Sequence, residues 1–312
     1  MLDDGMQHLQ SIGRQVYSRT NGPIMMRRTI AVLPICLLAG CFWKSESSYV
    51  EVCNKGSDTM LEVAGAWAEA YDKVTDHIVI SVSGGGSGTG IANVISGSID
   101  LANSSRKLKP SEDKRARELG QDPVEHIVGF DGIAVYVHKD NPLRSITMQQ
   151  LERLFGKGGE LSNWTQLGVD FGSDQNNKVV LISRQNNSGT YEYFREAVLG
   201  KKGRFKTSCL NLNGSKDVVK FCSDSLNAIG YSGLAYATDE VRLLPVVNTD
   251  GGDPITPSNE TILDRSYPIS RPLYMYTNGE PAGAVKEYLD WILGDAGQRV
   301  LHDRGYSPVR PL

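Results

Sequence analysis

The stretch from Ile78 to Val94, IVISVSGGGSGTGIANV, predicts a buried strand, a glycine-rich loop and the start of a helix. The strand is mostly β-branched and apolar through Val82, as buried strands are. Gly84 to Gly90 carry almost no side-chain bulk, and an apolar pattern with helical spacing resumes at Ile91. A bare backbone that begins a helix points N–H groups outward at the positive end of the helix dipole. The segment therefore predicts an anion site that needs no cation.

The glycine loop lacks the spacing of the common phosphate-binding and nucleophile motifs. A dinucleotide fingerprint needs a third glycine where Thr89 or Ile91 stands, and a Walker loop needs lysine in place of Ile91. A nucleophile elbow around Ser87 needs glycine in place of Thr89. Taken alone, the loop also fits a flexible turn. Two further hydroxyl clusters before predicted helices, GSDT at 56–59 and NSGT at 187–190, favour the anion site.

Length and charge limit the classes of function. The 312 residues are enough for two domains of ordinary size. The net charge is −3 and there is no Lys/Arg block, so we predict no nucleic-acid partner. An anionic ligand must then be held by local dipoles and hydrogen bonds, because the overall field is weakly repulsive. The histidines and cysteines show no metal spacing, and we predict no metal, no cofactor and no catalytic residue.

The N-terminal segment resembles a bacterial lipoprotein signal. Arg27 and Arg28 precede an apolar run that ends in LAGC at Cys41, and the run is shorter than the ~20 residues that a bilayer span needs. We predict a signal peptide with an upstream extension over 1–40, lipidation of Cys41 and a tether over 41–48, with a buried strand as the alternative. This prediction places the protein outside the cytoplasm, lipid-anchored to a bacterial membrane in the periplasm or at the cell surface.

The order of predicted elements indicates an α/β fold. Strands alternate with helices in the first half, which predicts parallel strands whose carboxyl ends, and therefore the hydroxyl loops, share one edge. In the second half, a strand over Val179–Ser183 leads to Arg184, which is suited to a bidentate contact with an oxyanion; a surface ion pair is the alternative. We predict chain crossings between the halves near Asp140 and after Ser232.

Three cysteines follow the predicted tether. Cys209 and Cys222 flank a short polar loop, and the export route makes disulfides possible. We predict a disulfide between these two, with Cys53 as a buried thiol, although three cysteines allow three pairings.

Six segments resemble the phosphate-binding component of high-affinity phosphate ABC importers. They are KGSDTM, SGGGSGTGI, IDLANSSRKLK, SRQNNSGTYEYF, AIGYSGLAY and GDAGQRVLHDRGYSPV, and they extend from Lys55 to Val309. The resemblance implies a type II periplasmic-binding-protein fold, with two α/β lobes, a central cleft that holds phosphate and two crossover strands. With it we assign residues 49–137 and 235–312 to the first lobe and 138–234 to the second.

The resemblance also implies the ligands and the partners. The implied phosphate-binding residues are Ser57, Asp58, Thr59, Ser87, Ser105, Arg184, Ser188, Gly189 and Thr190. Backbone N–H groups and hydroxyls donate to the phosphate oxygens, Arg184 neutralises charge, and closure of the lobes strengthens these bonds by excluding water. The implied partners are inorganic phosphate and the ABC permease of a phosphate importer. We expect a monomer that is not an enzyme.

One position departs from the well-known members of that family. They have a carboxylate where Ser105 stands, and it accepts the proton of phosphate and repels sulfate. Here Ser105 is followed by Arg106. The proton acceptor is therefore open: Asp58 is one candidate, unless it is a helix N-cap, and hydroxyl lone pairs are another. Weaker discrimination against sulfate is the hypothesis that follows.

Other functions remain open from the sequence. Arg184 and Arg106 leave room for a binding protein for another tetrahedral oxyanion, such as sulfate, molybdate or tungstate. A phosphatase of related fold would need a nucleophile with a nearby base or a metal cluster, and neither is visible. A secondary adhesion role for a surface lipoprotein is the third alternative.

Overall fold

Strands that alternate with helices make up most of the computed structural model, which describes residues 49–248 and 251–312. The predicted signal peptide, the predicted lipidated Cys41 and the predicted tether lie outside the described residues. Within these ranges, the search for a helix of sufficient length and apolarity to span a bilayer found none.

Eleven strands and ten α-helices occur in the described residues, with two short 3-10 helices at Trp164–Leu167 and Leu234–Tyr236. The strands are β1 (Val50–Gly56), β2 (Ile78–Ser83), β3 (Leu101–Ser104), β4 (Pro123–His138), β5 (Ile146–Thr147), β6 (Val180–Arg184), β7 (Leu210–Leu212), β8 (Ala228–Gly233), β9 (Val241–Leu244), β10 (Val246–Val247) and β11 (Ser270–Asn278). The helices are α1 (Leu61–Tyr71), α2 (Ser87–Ile95), α3 (Pro110–Glu118), α4 (Met148–Phe155), α5 (Asp174–Asn177), α6 (Gly189–Leu199), α7 (Ser215–Asp224), α8 (Asn259–Leu263), α9 (Gly283–Leu293) and α10 (Asp295–Asp303).

Nine of the strands form one curled sheet in the order β2-β1-β3-β11-β4-β8-β6-β7, in which β9 also pairs with β4, and β5 and β10 form a separate two-stranded sheet. In the first half, β1 is parallel to β2 and to β3. In the second half, β6 is parallel to β7 and to β8. The antiparallel strands β4 and β11 join the two parallel groups. The predicted α/β class with parallel strands is confirmed, and each parallel group turns its carboxyl ends to one edge.

Strand β4 crosses between the two halves by itself. It pairs with β11 from Pro123 to Gly132 and with β8 from Ile133 to Val137. The apolar run contains no turn and continues as one strand of 16 residues. We therefore propose that the chain first passes between the halves within β4, before the predicted crossing near Asp140. Alternate side chains enter cores on opposite faces, with Val135 in one and Tyr136 in the other.

The second crossing lies near residue 270. Strand β9 pairs with β4, β10 pairs with β5, and Tyr267 and Ile269 belong to the hydrophobic core of the second half. Residues 241–269 therefore pack with the second half, although we had assigned 235–312 to the first lobe. On this pairing we propose lobes that comprise 49–131 with 270–312, and 132–269.

Aromatic packing fixes the helix that carries part of the site. Phe194 of α6 is fully buried and stacks on Tyr231 of β8, with ring centroids 3.7 Å apart, while Phe155 of α4 contacts both rings edge-on. Such a cluster contributes several kcal/mol, at roughly 1.5–3 kcal/mol for each fully buried large apolar side chain. It holds the first turn of α6 against the carboxyl edge of the sheet.

Candidate functional site

Three loops of the first half meet at the carboxyl ends of β1, β2 and β3. Ser57 Oγ donates to Ser105 Oγ at 2.9 Å, and Ser105 N donates to Ser87 Oγ at 3.0 Å. All three serines are buried. They come together because parallel strands end at the same edge, as the sequence predicted.

The glycine loop is shorter than predicted, because helix α2 begins at Ser87 inside it. Gly86 precedes the helix with a φ of 86°, a conformation that favours glycine. A side chain there would also meet the Asn187 carbonyl oxygen, 2.8 Å from its Cβ. The glycines therefore serve two purposes: they permit the turn, and they let the second half approach the backbone closely.

The second half supplies a fully buried arginine. Arg184, at the end of β6, donates from Nη1 to Ser215 Oγ at 2.8 Å and from Nε to Asn213 O at 3.0 Å. Its Nη2 lies 3.4 Å from Asp58 Oδ2 of the first half. Burial lowers the pKa of Arg184, and the charge of Asp58 opposes that shift. The alternative of a surface ion pair is wrong, because the side chain is inaccessible to solvent.

The first turn of α6 closes the site from the second half. Ser188 caps the helix by accepting from Thr190 N at 3.2 Å. Thr190 Oγ1 lies 2.7 Å from Thr59 Oγ1 across the cleft, and both side chains are buried. A Cβ on Gly189 would collide with Ser87 Oγ and with Ser105 Oγ. The structure thus brings all nine predicted binding residues into one cluster between the halves.

Asp58 is not the N-cap of α1. That helix begins at Leu61 after Met60, with no capping hydrogen bond from a side chain. The Asp58 carboxylate instead accepts from Gly85 N at 2.9 Å and faces Arg184. It connects two loops of the first half with the arginine of the second.

Two buried charged residues of the site were missed from the sequence. Arg271 of β11 and Asp131 of β4 are opposite each other in the strand register and 2.7 Å apart between Nη2 and Oδ2. Arg271 Nη2 also lies 3.0 Å from Thr190 Oγ1 and 3.3 Å from Thr59 Oγ1. The sequence offered a signal, because Arg271 is the one charged residue of β11 and Asp131 is an acidic residue in the apolar part of β4. The site therefore contains two guanidinium groups, where we expected Arg184 alone.

Further missed residues support the first loop. Tyr236 Oη donates to the carbonyl oxygens of Asp58, at 2.8 Å, and of Thr59, at 3.0 Å. Tyr306 Oη donates to Thr59 O as well. Asn187 contacts the glycine loop twice, since its Nδ2 donates to Gly85 O at 2.9 Å and its carbonyl accepts from Gly88 N at 3.0 Å.

The predicted disulfide is absent from the described residues, where Cys53, Cys209 and Cys222 are free thiols. Cys209 packs in the same core as Val135, and Cys222 packs in the core of Tyr136. The sheet separates these cores, so the two sulfurs do not face each other. Burial raises the pKa of Cys209 to about 11 and that of Cys222 to about 12. The predicted pairing was wrong, because closeness in sequence does not decide on which side of a sheet a side chain lies.

Comparison with known proteins places this arrangement in a family. The chain matches the PBP superfamily domain over residues 45–296. It is 34% identical over 265 residues to the phosphate-binding protein PstS of Pseudomonas aeruginosa, covering 81% of each chain. It is 31% identical over 255 residues to the phosphate-binding protein PstS of Bacillus subtilis, covering 81% of this chain and 79% of that one.

Solved structures agree with the sequence relatives. A Clostridium perfringens protein assigned as a phosphate ABC transporter substrate-binding protein, with phosphate bound, superimposes with a TM-score of 0.74 at 29% identity. The likeness covers 84% of this chain and 100% of that one. A substrate-binding domain assigned to a molybdenum ABC transporter of Clostridium difficile has a TM-score of 0.50 at 13% identity, with 83% and 99% covered. That second likeness shows the fold alone.

Proposed function

The chain belongs to the phosphate-binding proteins of the PBP superfamily, and we propose that it captures inorganic phosphate in the cleft between its lobes and delivers it to an ABC permease. The type II periplasmic-binding fold provides two α/β lobes that close on a solute. One observation carries the proposal: residues from loops far apart in the sequence meet in a single buried cluster of hydroxyls, helix starts and guanidinium groups.

The chemistry of the cluster suits a tetrahedral oxyanion. Helices α2 and α6 both begin at the cleft, so their first N–H groups and their dipoles favour an anion there. The hydroxyls of Ser57, Thr59 and Thr190 add uncharged donors, and Arg184 adds a charged one. Because the site is buried, each hydrogen bond is stronger than it would be in water. We propose the nine predicted residues as the phosphate ligands.

Calorimetry with purified protein tests the proposal. The protein is unfolded to remove bound anions, refolded and titrated with phosphate, with refolding verified by circular dichroism. We expect saturable heat with one site per chain and a rise in the unfolding temperature. A refolded protein that gives neither response to phosphate contradicts the proposed function.

The proton of phosphate needs an acceptor, and we propose Asp58. Its carboxylate already faces Arg184 across the cleft. Asp58→Asn should weaken phosphate binding and reduce the preference for phosphate over sulfate, whereas Asp72→Asn, an exposed carboxylate after α1, should change neither. If the asparagine variant keeps its selectivity, hydroxyl oxygens accept the proton. In the native protein, absence of competition at large sulfate excess would refute the hypothesis of weak discrimination.

The same titration separates the alternative ligands. Molybdate and tungstate are tested beside sulfate, and a ligand bound more tightly than phosphate would replace it in the proposal. The named relatives are binding proteins, and we propose that this chain is likewise not an enzyme. A phosphoester assay with and without divalent metals checks that proposal, and turnover would overturn it.

We further propose that the protein is an exported monomer held to the membrane by lipid on Cys41. The proposal rests on the lipoprotein-like segment that ends at that cysteine. Metabolic labelling with a fatty acid should mark the native protein, and Cys41→Ser should abolish the label and release the protein from membranes. Sedimentation at equilibrium should give the mass of one chain.

A further inference from the structure

We infer that Arg271 is a second phosphate-binding guanidinium of the cleft and that Asp131 is its positioning residue. The inference rests on the proposed function, because it concerns the same anion site. It adds a charged ligand from the crossing strands to a site that the sequence ascribed to loops and Arg184.

Strand pairing sets the position of the Arg271 guanidinium. Arg271 and Asp131 are register partners on β11 and β4. Both Nε, at 3.1 Å, and Nη2, at 2.7 Å, contact the same oxygen, Asp131 Oδ2. On the other side, Nη1 donates to the backbone carbonyl of Ser105 at 2.9 Å. Contacts on two sides leave the planar group little freedom to rotate, so its direction is fixed before any ligand arrives.

The guanidinium points at the place where the two lobes meet. Its Nη2 lies within 3.3 Å of the hydroxyl oxygens of Thr59 and Thr190, which are themselves 2.7 Å apart. Thr59 belongs to a first-half loop and Thr190 to the first turn of α6. If the hydrogen bond between these hydroxyls opens, an anion oxygen beside them can accept from both hydroxyls and from Nη2. Arg271 can therefore donate to the same anion oxygen as the two threonines.

Arg184 and Arg271 differ in how their donors are used. The donors of Arg184 contact Asn213 O, Ser215 Oγ and Asp58 Oδ2. The donors of Arg271 contact the Asp131 carboxylate, the Ser105 carbonyl oxygen and, through Nη2, the hydroxyls of Thr59 and Thr190. Hydroxyls can rotate and become donors to an anion, whereas carbonyls and carboxylates cannot. Arg184 contacts one hydroxyl, that of Ser215, and Arg271 contacts two, those of Thr59 and Thr190, so the surroundings of Arg271 adapt more readily to a bound oxyanion.

A purely structural role accounts poorly for this pair. Arg271 and Asp131 are each 1% exposed, and burial raises the pKa of Asp131 while the charge of Arg271 lowers it. Burying two charges costs desolvation energy that apolar residues of the same volume would avoid. Attraction between the buried guanidinium and an anionic ligand would offset this desolvation energy.

The test compares phosphate binding among variants of the full protein. Arg271→Gln combined with Asp131→Asn removes both charges together and keeps hydrogen-bonding groups, so no buried charge is left unpaired. Arg271→Lys keeps the charge but loses the planar fork. Arg195→Gln is the matched control, because Arg195 is also largely buried and paired with a carboxylate, Glu192, and its side chain hydrogen-bonds to none of the proposed phosphate ligands.

We expect phosphate binding to weaken about 10- to 100-fold in the double variant, the range for a lost hydrogen bond to a charged group. The lysine variant should recover part of that loss, and the control should stay within about twofold of the native protein. A positive charge favours the phosphate dianion over the monoanion, so the affinity of the native protein should rise as the pH passes the second pKa of phosphate. In the double variant this rise should be smaller. A merely structural pair would not change that pH profile.

Each result decides the inference. Native affinity and pH profile in a folded double variant would overturn it. If the double variant does not fold, Arg271→Lys decides: weaker binding with a similar unfolding temperature supports the inference, and unchanged binding overturns it. Failure of the native protein to bind phosphate refutes the proposed function instead, so the two failures are distinguishable.

Discussion

The hydroxyl loops and the crossing strands contribute to one site by different physical means. The loops that carry Ser57, Ser87 and Thr190 lie at strand and helix ends and offer many uncharged donors. The crossing strands β4 and β11 offer one ion pair, Asp131–Arg271, between register partners of the sheet. Loop donors are numerous and individually weak, whereas the charged groups are few and individually strong. We therefore expect the loss of one arginine to weaken phosphate binding more than the loss of one hydroxyl.

Removal of a guanidinium should have the largest effect. Arg184→Gln should weaken phosphate binding by at least about 100-fold, or about 2.7 kcal/mol, because a buried charged donor is lost. Isothermal titration calorimetry measures the change, with Arg195→Gln as the control. Binding within a few-fold of the native value would contradict the claim that charged groups dominate the site.

Steric separation of the lobes should rank next. Gly189→Ala places a Cβ against Ser87 Oγ and Ser105 Oγ, and overpacking of about 1–3 kcal/mol predicts binding weaker by about 5- to 150-fold. The control is Gly65→Ala in α1, where an added Cβ meets no other atom within 4 Å. That variant should bind normally and gain up to about 1 kcal/mol of helix stability. Equal affinity of the two variants would show that the lobes need not approach as closely as described.

Removal of one hydroxyl should have a smaller effect. Ser57→Ala deletes a donor to Ser105 Oγ and should weaken phosphate binding about 3- to 10-fold, less than the loss of a charged donor, because the hydroxyl carries no net charge. Ser96→Ala, an exposed hydroxyl after α2, is the control. A loss as large as that of Arg184→Gln would remove the distinction between charged and uncharged ligands.

The two buried thiols, Cys209 and Cys222, should not affect phosphate binding. Their reactivity tests whether they lie on opposite faces of the sheet that contains β4. With pKa values raised to about 11 and about 12, Cys209 and Cys222 remain protonated near neutral pH and should react slowly with a maleimide in the folded protein. After unfolding without reductant, both should react fully, as peptide mass spectrometry can show. A disulfide-linked peptide would contradict the placement of these residues on opposite faces of β4.

Much of the site could be predicted because its loops have local sequence signatures. Small hydroxyl residues before helices and a glycine run after an apolar strand are visible within a few positions. Arg271 and Asp131 were missed because their proximity depends on the pairing of β11 with β4, 140 residues apart. The lobe bounds that we propose depend on such pairing too, since the sequence of a short strand such as β9 does not indicate the strand with which it pairs. Contacts between residues that are far apart in the sequence could not be predicted from local patterns.

The continuity of β4 has a mechanical consequence. A carrier whose halves are joined by a flexible linker must find its closed geometry anew each time it loads. In this protein, the paired strand β4 runs from one half into the other. Because this connection holds the halves in register, we expect each closure on a solute to bring the same atoms together.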